Sequence, residues 1–175
     1  EMGKMASDLG TSTDEISALA KSMDSMKMFQ STRSVQEFRA KFKEIMGAVK
    51  EVSKTLQTTL EESLQVIGDL KQQGFHSAAD ITAQAAKMKA REATSGISVQ
   101  TQSQFGQHGA QMARSQGMRG KFGSEFLQRN VTHLGTAYRD MSPDMQERSE
   151  EMGGVENVAA QMSARQMRFL SSSRG

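Results

Sequence analysis

The feature that most constrains the fold is a seam of apolar residues spaced 3, 4, 3, 4, 3 and 4 apart. It consists of Val35, Phe38, Phe42, Ile45, Val49, Val52 and Leu56, and it continues less regularly through Leu60, Leu64, Ile67 and Leu70. This heptad spacing places the side chains on one stripe of an α-helix. We therefore expect the longest helix over residues 35–70, extending to about 34–73, with the seam buried against another helix.

The composition suggests that a second copy of the chain supplies this other helix. Apolar residues make up 36% of the 175 residues, aromatic residues only 5%, and Trp is absent. Ordering the backbone costs roughly 1–2 kcal/mol per residue, and a chain with little apolar surface offsets this cost poorly by itself. The predicted interface between copies of a homo-oligomer consists of Val35, Phe38, Phe42, Ile45, Val49, Val52, Leu56, Leu60, Leu64 and Ile67.

The rest of the chain predicts further helices and no sheet, since alternating β-branched runs are absent. We expect an all-α, extended and oligomeric protein with a long-helix coiled coil and shorter C-terminal helices. Residues 1–74 form the predicted coiled-coil region. Residues 75–121 are predicted to form an Ala-rich helix and a Gln/Ser/Gly-rich connector. We expect the connector to be a loop or a set of short helical turns. Residues 122–175 form the predicted short-helix region.

Capping residues predict where these helices begin and end. The hydroxyls of residues 11–13 predict the start of a first helix, and Gly74 predicts the end of the long one. Ser77 with Asp80 predicts the start of the next helix, and Ser142-Pro143 predicts another. Two further helices are expected over Phe122–Tyr138 and Val155–Leu170.

No group of residues has the spacing of a catalytic, cofactor or metal site. The three histidines, at positions 76, 108 and 133, are scattered, and Cys is absent. The Glu61-Glu62 pair is adjacent in sequence, so its carboxylates point in different directions on a helix. The glycines of residues 106–123 lack the Walker A pattern of a phosphate loop. We therefore expect no enzyme activity, no cofactor and no small-molecule substrate.

Charge and methionine content leave two interpretations open. The 22 basic and 20 acidic residues are interspersed, so the net charge of +2 does not indicate a dedicated nucleic-acid binder. The basic cluster around Arg33 and Arg39 suits a solvated helix flank, with phosphate contact as the alternative. The methionines of residues 23–28 suit either a core or an adaptable partner-binding surface.

The second half of the chain has a repetitive, small-residue character. Ala, Gln, Gly and Met recur in QQGFHSAADITAQAAKM (72–88), ATSGISVQTQSQFGQHGAQMARSQGMRG (93–120) and MGGVENVAAQMSARQMRFLSSSRG (152–175). In this pattern and in lacking Cys, the chain resembles the tape-measure and internal virion (ejection) proteins of tailed phages. The chain begins at Glu1 rather than Met, so we expect it to be a piece of a longer or processed polypeptide.

The resemblance implies a structural virion component inside the phage tail or portal channel. Such a protein acts in tail-length determination or genome ejection and is delivered to the host envelope during infection. The implied partners are other copies, other virion proteins and, transiently, passing DNA. The alternative is a cytoplasmic helical scaffold or membrane-remodelling filament protein, which the Met-rich stretch AKSMDSMKMFQ (20–30) faintly resembles.

Overall fold

The computed structural model describes residues 12–151 continuously, and residues 3, 6, 7, 153, 154, 157, 161 and 165 individually. This part of the chain contains seven α-helices and no strand, which confirms the predicted all-α class. The helices are α1 (Thr13–Ser25), α2 (Val35–Leu56), α3 (Leu60–Gln73), α4 (Ala78–Ser95), α5 (Val99–Ser115), α6 (Gly120–Arg139) and α7 (Pro143–Glu151).

Most of the predicted helix ends are confirmed by their caps. At the start of α1, the Ser12 hydroxyl accepts a hydrogen bond from the Glu15 N–H at 3.1 Å, and the Glu15 carboxylate accepts one from the Ser12 N–H. Ser77 caps α4 through the Asp80 N–H at 3.0 Å. Gly74 ends α3 with a φ of 104°, a conformation that glycine adopts without strain.

The prediction of one unbroken helix over residues 35–70 is wrong. Helix α2 ends at Leu56, where Gln57 turns left-handed with a φ of 58°, and α3 begins at Leu60. Thr59 and Glu62 form a reciprocal capping box that starts α3 and supplies its first N–H groups with acceptors. The loosened spacing after Leu56 therefore marks a turn between two helices that pack against each other, rather than a change of supercoil within one helix.

The prediction of a loop or short helical turns between the Ala-rich helix and residue 122 is also wrong. Residues Val99–Ser115 form the continuous helix α5, capped by the Ser98 hydroxyl. The buried residues of α5 are Gln102, Ser103, Gly106, Gly109, Ala110 and Ala113. The spacing of large apolar residues does not predict this helix, because its buried face contains no large apolar residue.

The apolar core lies between α1, α2, α3 and α4. Among the described residues, twenty buried apolar side chains form one cluster, which includes the buried seam residues and crosses the predicted region boundary at residue 74 to reach Met88 of α4. Met23 and Met28 are buried in this core, so two of the three methionines of residues 23–28 serve packing. The predicted helix over residues 155–170 falls almost entirely outside the described residues.

Helices α5 and α6 pack tightly on each other and attach to this core through α3 and α4. Among the buried residues of α6, Leu127 and Val131 are the large apolar ones, and the others are glycine, serine, threonine or glutamine. The described part of the chain therefore has two unlike halves. One is held by large apolar side chains, and the other by close backbone packing and polar side chains.

Candidate functional site

The ten seam residues predicted as an interface divide into two groups. Seven are buried within the single chain, Leu60 is half-buried, and Val35 and Phe38 are exposed by 69% and 39%. The buried seven are Phe42, Ile45, Val49, Val52, Leu56, Leu64 and Ile67. Helices of the same chain cover these side chains, so their burial does not require a second copy. Self-association through the seam stays a prediction.

Helices α5 and α6 meet closely at two glycines. A Cβ atom added at Gly109 of α5 would overlap the backbone carbonyl of Gly123 in α6, and one added at Gly123 would overlap that of Gly109. A Cβ at Gly123 would also lie 2.6 Å from the Ala113 side chain. The two helix backbones therefore meet at a distance that only glycine permits.

Beside this crossing lies a buried cluster of polar side chains that sequence reasoning missed. Gln73, Gln84, Gln128 and Ser124 are each no more than 1% exposed, and Ser103 is 3% exposed. They come from α3, α4, α5 and α6, so residues far apart in sequence meet at one place. We call these five residues the glutamine cluster.

Gln73 lies at the centre of the glutamine cluster and uses its whole amide. Its Oε1 accepts hydrogen bonds from the Ser124 hydroxyl at 2.6 Å and from Gln128 Nε2 at 3.2 Å. Its Nε2 donates to the Ser103 carbonyl at 3.1 Å and to the Ser103 hydroxyl at 3.4 Å. A buried amide with both donors and both acceptors satisfied fixes the mutual register of α3, α5 and α6.

One series of hydrogen bonds through the cluster runs in a single direction, from a cation to an anion. Arg91 donates to Gln128 Oε1 at 3.4 Å, Gln128 donates to Gln73, and Gln73 donates to Ser103. The Ser103 hydroxyl in turn donates to the Asp69 carboxylate at 3.1 Å. Donors aligned in this way polarise one another, and the charges at the two ends favour the same direction. The chain of bonds therefore orders four helices without any large apolar side chain.

Two features lower the stability that this cluster can provide. Gln84 Nε2 donates to Gln128 Oε1, but Gln84 Oε1 has no hydrogen-bond partner within the described residues. A buried unpaired carbonyl costs about 1–3 kcal/mol. Partial burial, and secondarily the nearby Arg129, lower the pKa of Arg91, which means that the charged form is disfavoured there. The unpaired Gln84 carbonyl therefore offsets part of the stability that the other hydrogen bonds of the cluster provide.

Gln73→Ala is expected to lower the free energy of unfolding by about 2–3 kcal/mol, because Ser103, Ser124 and Gln128 lose a buried partner at once. Gln104→Ala is the matched control, since Gln104 is an exposed residue of α5 and its loss should change stability by less than about 0.5 kcal/mol. Urea denaturation followed by circular dichroism measures both. Equal, small effects of the two variants would show that the cluster contributes nothing.

Within the described residues, no three His, Cys, Asp or Glu side chains gather as metal ligands. The Glu62 carboxylate accepts hydrogen bonds from the Thr59 N–H and hydroxyl, and these bonds lower the pKa of Glu62. No helix among the described residues combines the length and apolar character needed to cross a membrane.

Comparison with known proteins does not assign a family to this arrangement. No protein-family model, no curated protein and no solved structure matches the chain.

Proposed function

We propose that the chain is a structural part of a tape-measure or ejection protein of a tailed phage. It lies inside the tail or portal channel, together with other copies and other virion proteins, and acts in tail-length determination or genome ejection. In this setting its helices form an extended assembly of several copies. The proposal starts from the sequence resemblance of residues 72–175, and one feature of the fold supports it.

The supporting observation is the unlike composition of the buried faces of the two halves. The α5–α6 pair buries mainly glycine, alanine, serine and glutamine, while α1–α4 bury phenylalanine, isoleucine, leucine and methionine. Each Å² of apolar surface that leaves water contributes roughly 25 cal/mol, so a contact made of small and polar groups opens at low cost. A protein that must leave a narrow channel benefits from such a half, because it can unravel without a large barrier.

Charge is consistent with the same role. The 22 basic and 20 acidic residues nearly cancel. A surface with a large positive excess would hold the phosphate backbone strongly and slow a passing genome. Near-neutral charge lets DNA move past the protein with little electrostatic retention.

Native-state hydrogen exchange should reveal the two halves directly. We expect the amides of α5 and α6 to exchange at least about tenfold faster than those of α2 and α3, which corresponds to about 1.4 kcal/mol lower opening free energy. Mass-spectrometric peptide mapping of the folded chain measures this. Uniform protection across all four helices would contradict the proposed weak half.

The proposed function is tested by quantitative proteomics of purified phage particles that encode this chain. Peptides from residues 12–151 should be found in intact particles and should be lost after genome release is triggered, while capsid peptides remain. The proposal fails if the peptides are absent from particles, or if they stay in emptied particles at their original copy number. Assembly into filaments on lipid vesicles, with no particle association, would favour the scaffold alternative instead.

A further inference from the structure

Two patches of the described surface expose large apolar side chains next to opposite charges. The first, which we call the α2 patch, consists of Val35 and Phe38, exposed by 69% and 39%. The second, the α7 patch, consists of Met141 and Met145, exposed by 37% and 56%. Exposed apolar side chains that lie together indicate a contact surface more often than isolated ones do.

The α2 patch is held in a fixed shape by aromatic packing. The Phe38 ring lies 4.6 Å from the Phe29 ring and 6.2 Å from the Phe42 ring, measured between centroids. Phe29 and Phe42 are buried, so they anchor Phe38 while part of its surface remains in solvent. A side chain that is already ordered loses little conformational entropy when it binds a partner.

Helix α7 is a candidate partner because, among the described residues, few contacts hold it in place. It has nine residues, whereas helices shorter than about 12–15 residues are marginal in water without packing. Two hydrogen bonds connect it to Tyr138: the Tyr138 hydroxyl donates to Glu150 at 2.8 Å, and Gln146 donates to the Tyr138 carbonyl at 3.0 Å. Apart from the half-buried Gln146, its described side chains are exposed.

The charges around the two patches are complementary. Residues 33–43 contain four basic residues and one acid, and residues 143–151 contain four acids and one basic residue. Opposite fields of this kind steer two surfaces together and set their orientation, with an effect that salt weakens. Methionine side chains adapt to a partner of irregular shape, which suits Met145 to a contact with an aromatic ring.

We propose that α7 of one copy of this chain docks on the α2 patch of a second copy. Met141 and Met145 then cover Val35 and Phe38, and the acids of α7 face Arg33 and Arg39. Because the two surfaces differ, a pair of copies keeps one free α2 patch and one free α7 patch, so the contact joins further copies head to tail. This contact specifies how copies of the chain meet. Its setting in a phage channel rests on the proposed function.

The test is the association state of the purified chain in analytical ultracentrifugation. We expect the mean mass to rise over about 5 to 500 µM protein, the range in which small interfaces dissociate. Raising the salt from about 0.05 to 0.5 M should weaken this association, since the Debye length shortens. Phe38→Ser and Met145→Ser should each lower the association constant at least about tenfold. Phe122→Ser is the matched control, because Phe122 is 48% exposed but belongs to neither patch.

Charge reversal makes the test specific for the proposed pairing. Arg33→Glu with Arg39→Glu, and Asp144→Lys with Glu147→Lys, should each abolish self-association of the variant alone. Mixing the two variants should restore it, because the unaltered basic α2 patch of one meets the unaltered acidic α7 of the other. Circular dichroism melting of each variant verifies that it is folded, and the Met145→Ser result stands even if an α2 variant fails to fold.

Three results would overturn the docking. They are a wild-type chain that stays monomeric across the concentration range, association that survives both charge reversals, and an equal loss in the Phe122→Ser control. A monomeric chain that is nevertheless found in phage particles would remove this inference and leave the proposed function intact. A self-associating chain that is absent from particles would contradict the proposed function and leave the docking of α7 on the α2 patch intact.

Discussion

Gly109→Ala is expected to lower the free energy of unfolding by about 3 kcal/mol, even though alanine is normally the better helix residue by about 1 kcal/mol. The new methyl group would overlap the Gly123 carbonyl and lie 3.0 Å from the Leu127 side chain. Backbone atoms cannot move aside as a flexible side chain can, so α5 and α6 must separate. Separation would also break hydrogen bonds of the glutamine cluster, which depend on the same crossing.

Gly47→Ala provides the matched control for this result. Gly47 lies inside α2, and nothing comes within 4 Å of a Cβ atom added there. The same substitution should therefore raise the free energy of unfolding by about 0.5–1 kcal/mol, since alanine loses less backbone entropy on folding. Urea denaturation monitored by circular dichroism compares the two variants. If both substitutions stabilise the protein, the α5–α6 crossing is not as close as the structure has it.

Phe42→Ala should lower the free energy of unfolding by about 3–5 kcal/mol, because Phe42 is 5% exposed and its removal leaves a cavity in the α1–α4 core. Val35→Ala is the control from the same seam. Its side chain is 69% exposed, so the change should be below about 0.5 kcal/mol. Thermal and urea denaturation measure both.

The dependence on protein concentration decides what buries Phe42. In Met145→Ser, which weakens the proposed α7 contact, the unfolding midpoint should be the same in dilute and concentrated protein if helices of the same chain cover Phe42. If a second copy buries it, the midpoint should rise with concentration, because association stabilises the folded state by mass action. If the midpoint rises strongly with concentration and Phe42→Ala abolishes this rise, the seam is an interface between copies.

The helices of this protein were predictable where apolar spacing and caps agree. The heptad spacing around Phe42 and Val49 correctly predicts one buried stripe on α2. Ser12 with Glu15, and Ser77 with Asp80, mark the starts of α1 and α4 through local hydrogen bonds that require no distant partner. Information of this kind is contained in four to seven neighbouring residues, so it can be read from the sequence alone.

Two features were misread because local patterns compete. Residues 57–59 interrupt the seam, where the Thr59–Glu62 capping box outweighs the continuing apolar repeat. The stretch that contains α5 looks like a loop because glutamine, serine and glycine are common in loops. In the folded chain its glycines permit close helix packing instead, and Gln102 and Ser103 are buried and hydrogen-bonded.

The sequence by itself determined the helical class, the caps and the apolar stripe, because these depend on neighbours along one helix. Only the tertiary structure decided what covers the stripe and which polar residues become a buried cluster. Gln73 meets Ser103 and Gln128 across 30 and 55 residues of chain, and each is an ordinary polar residue until α3, α5 and α6 come together. Hydrogen bonding between distant side chains depends on that placement, which no local pattern of residues encodes.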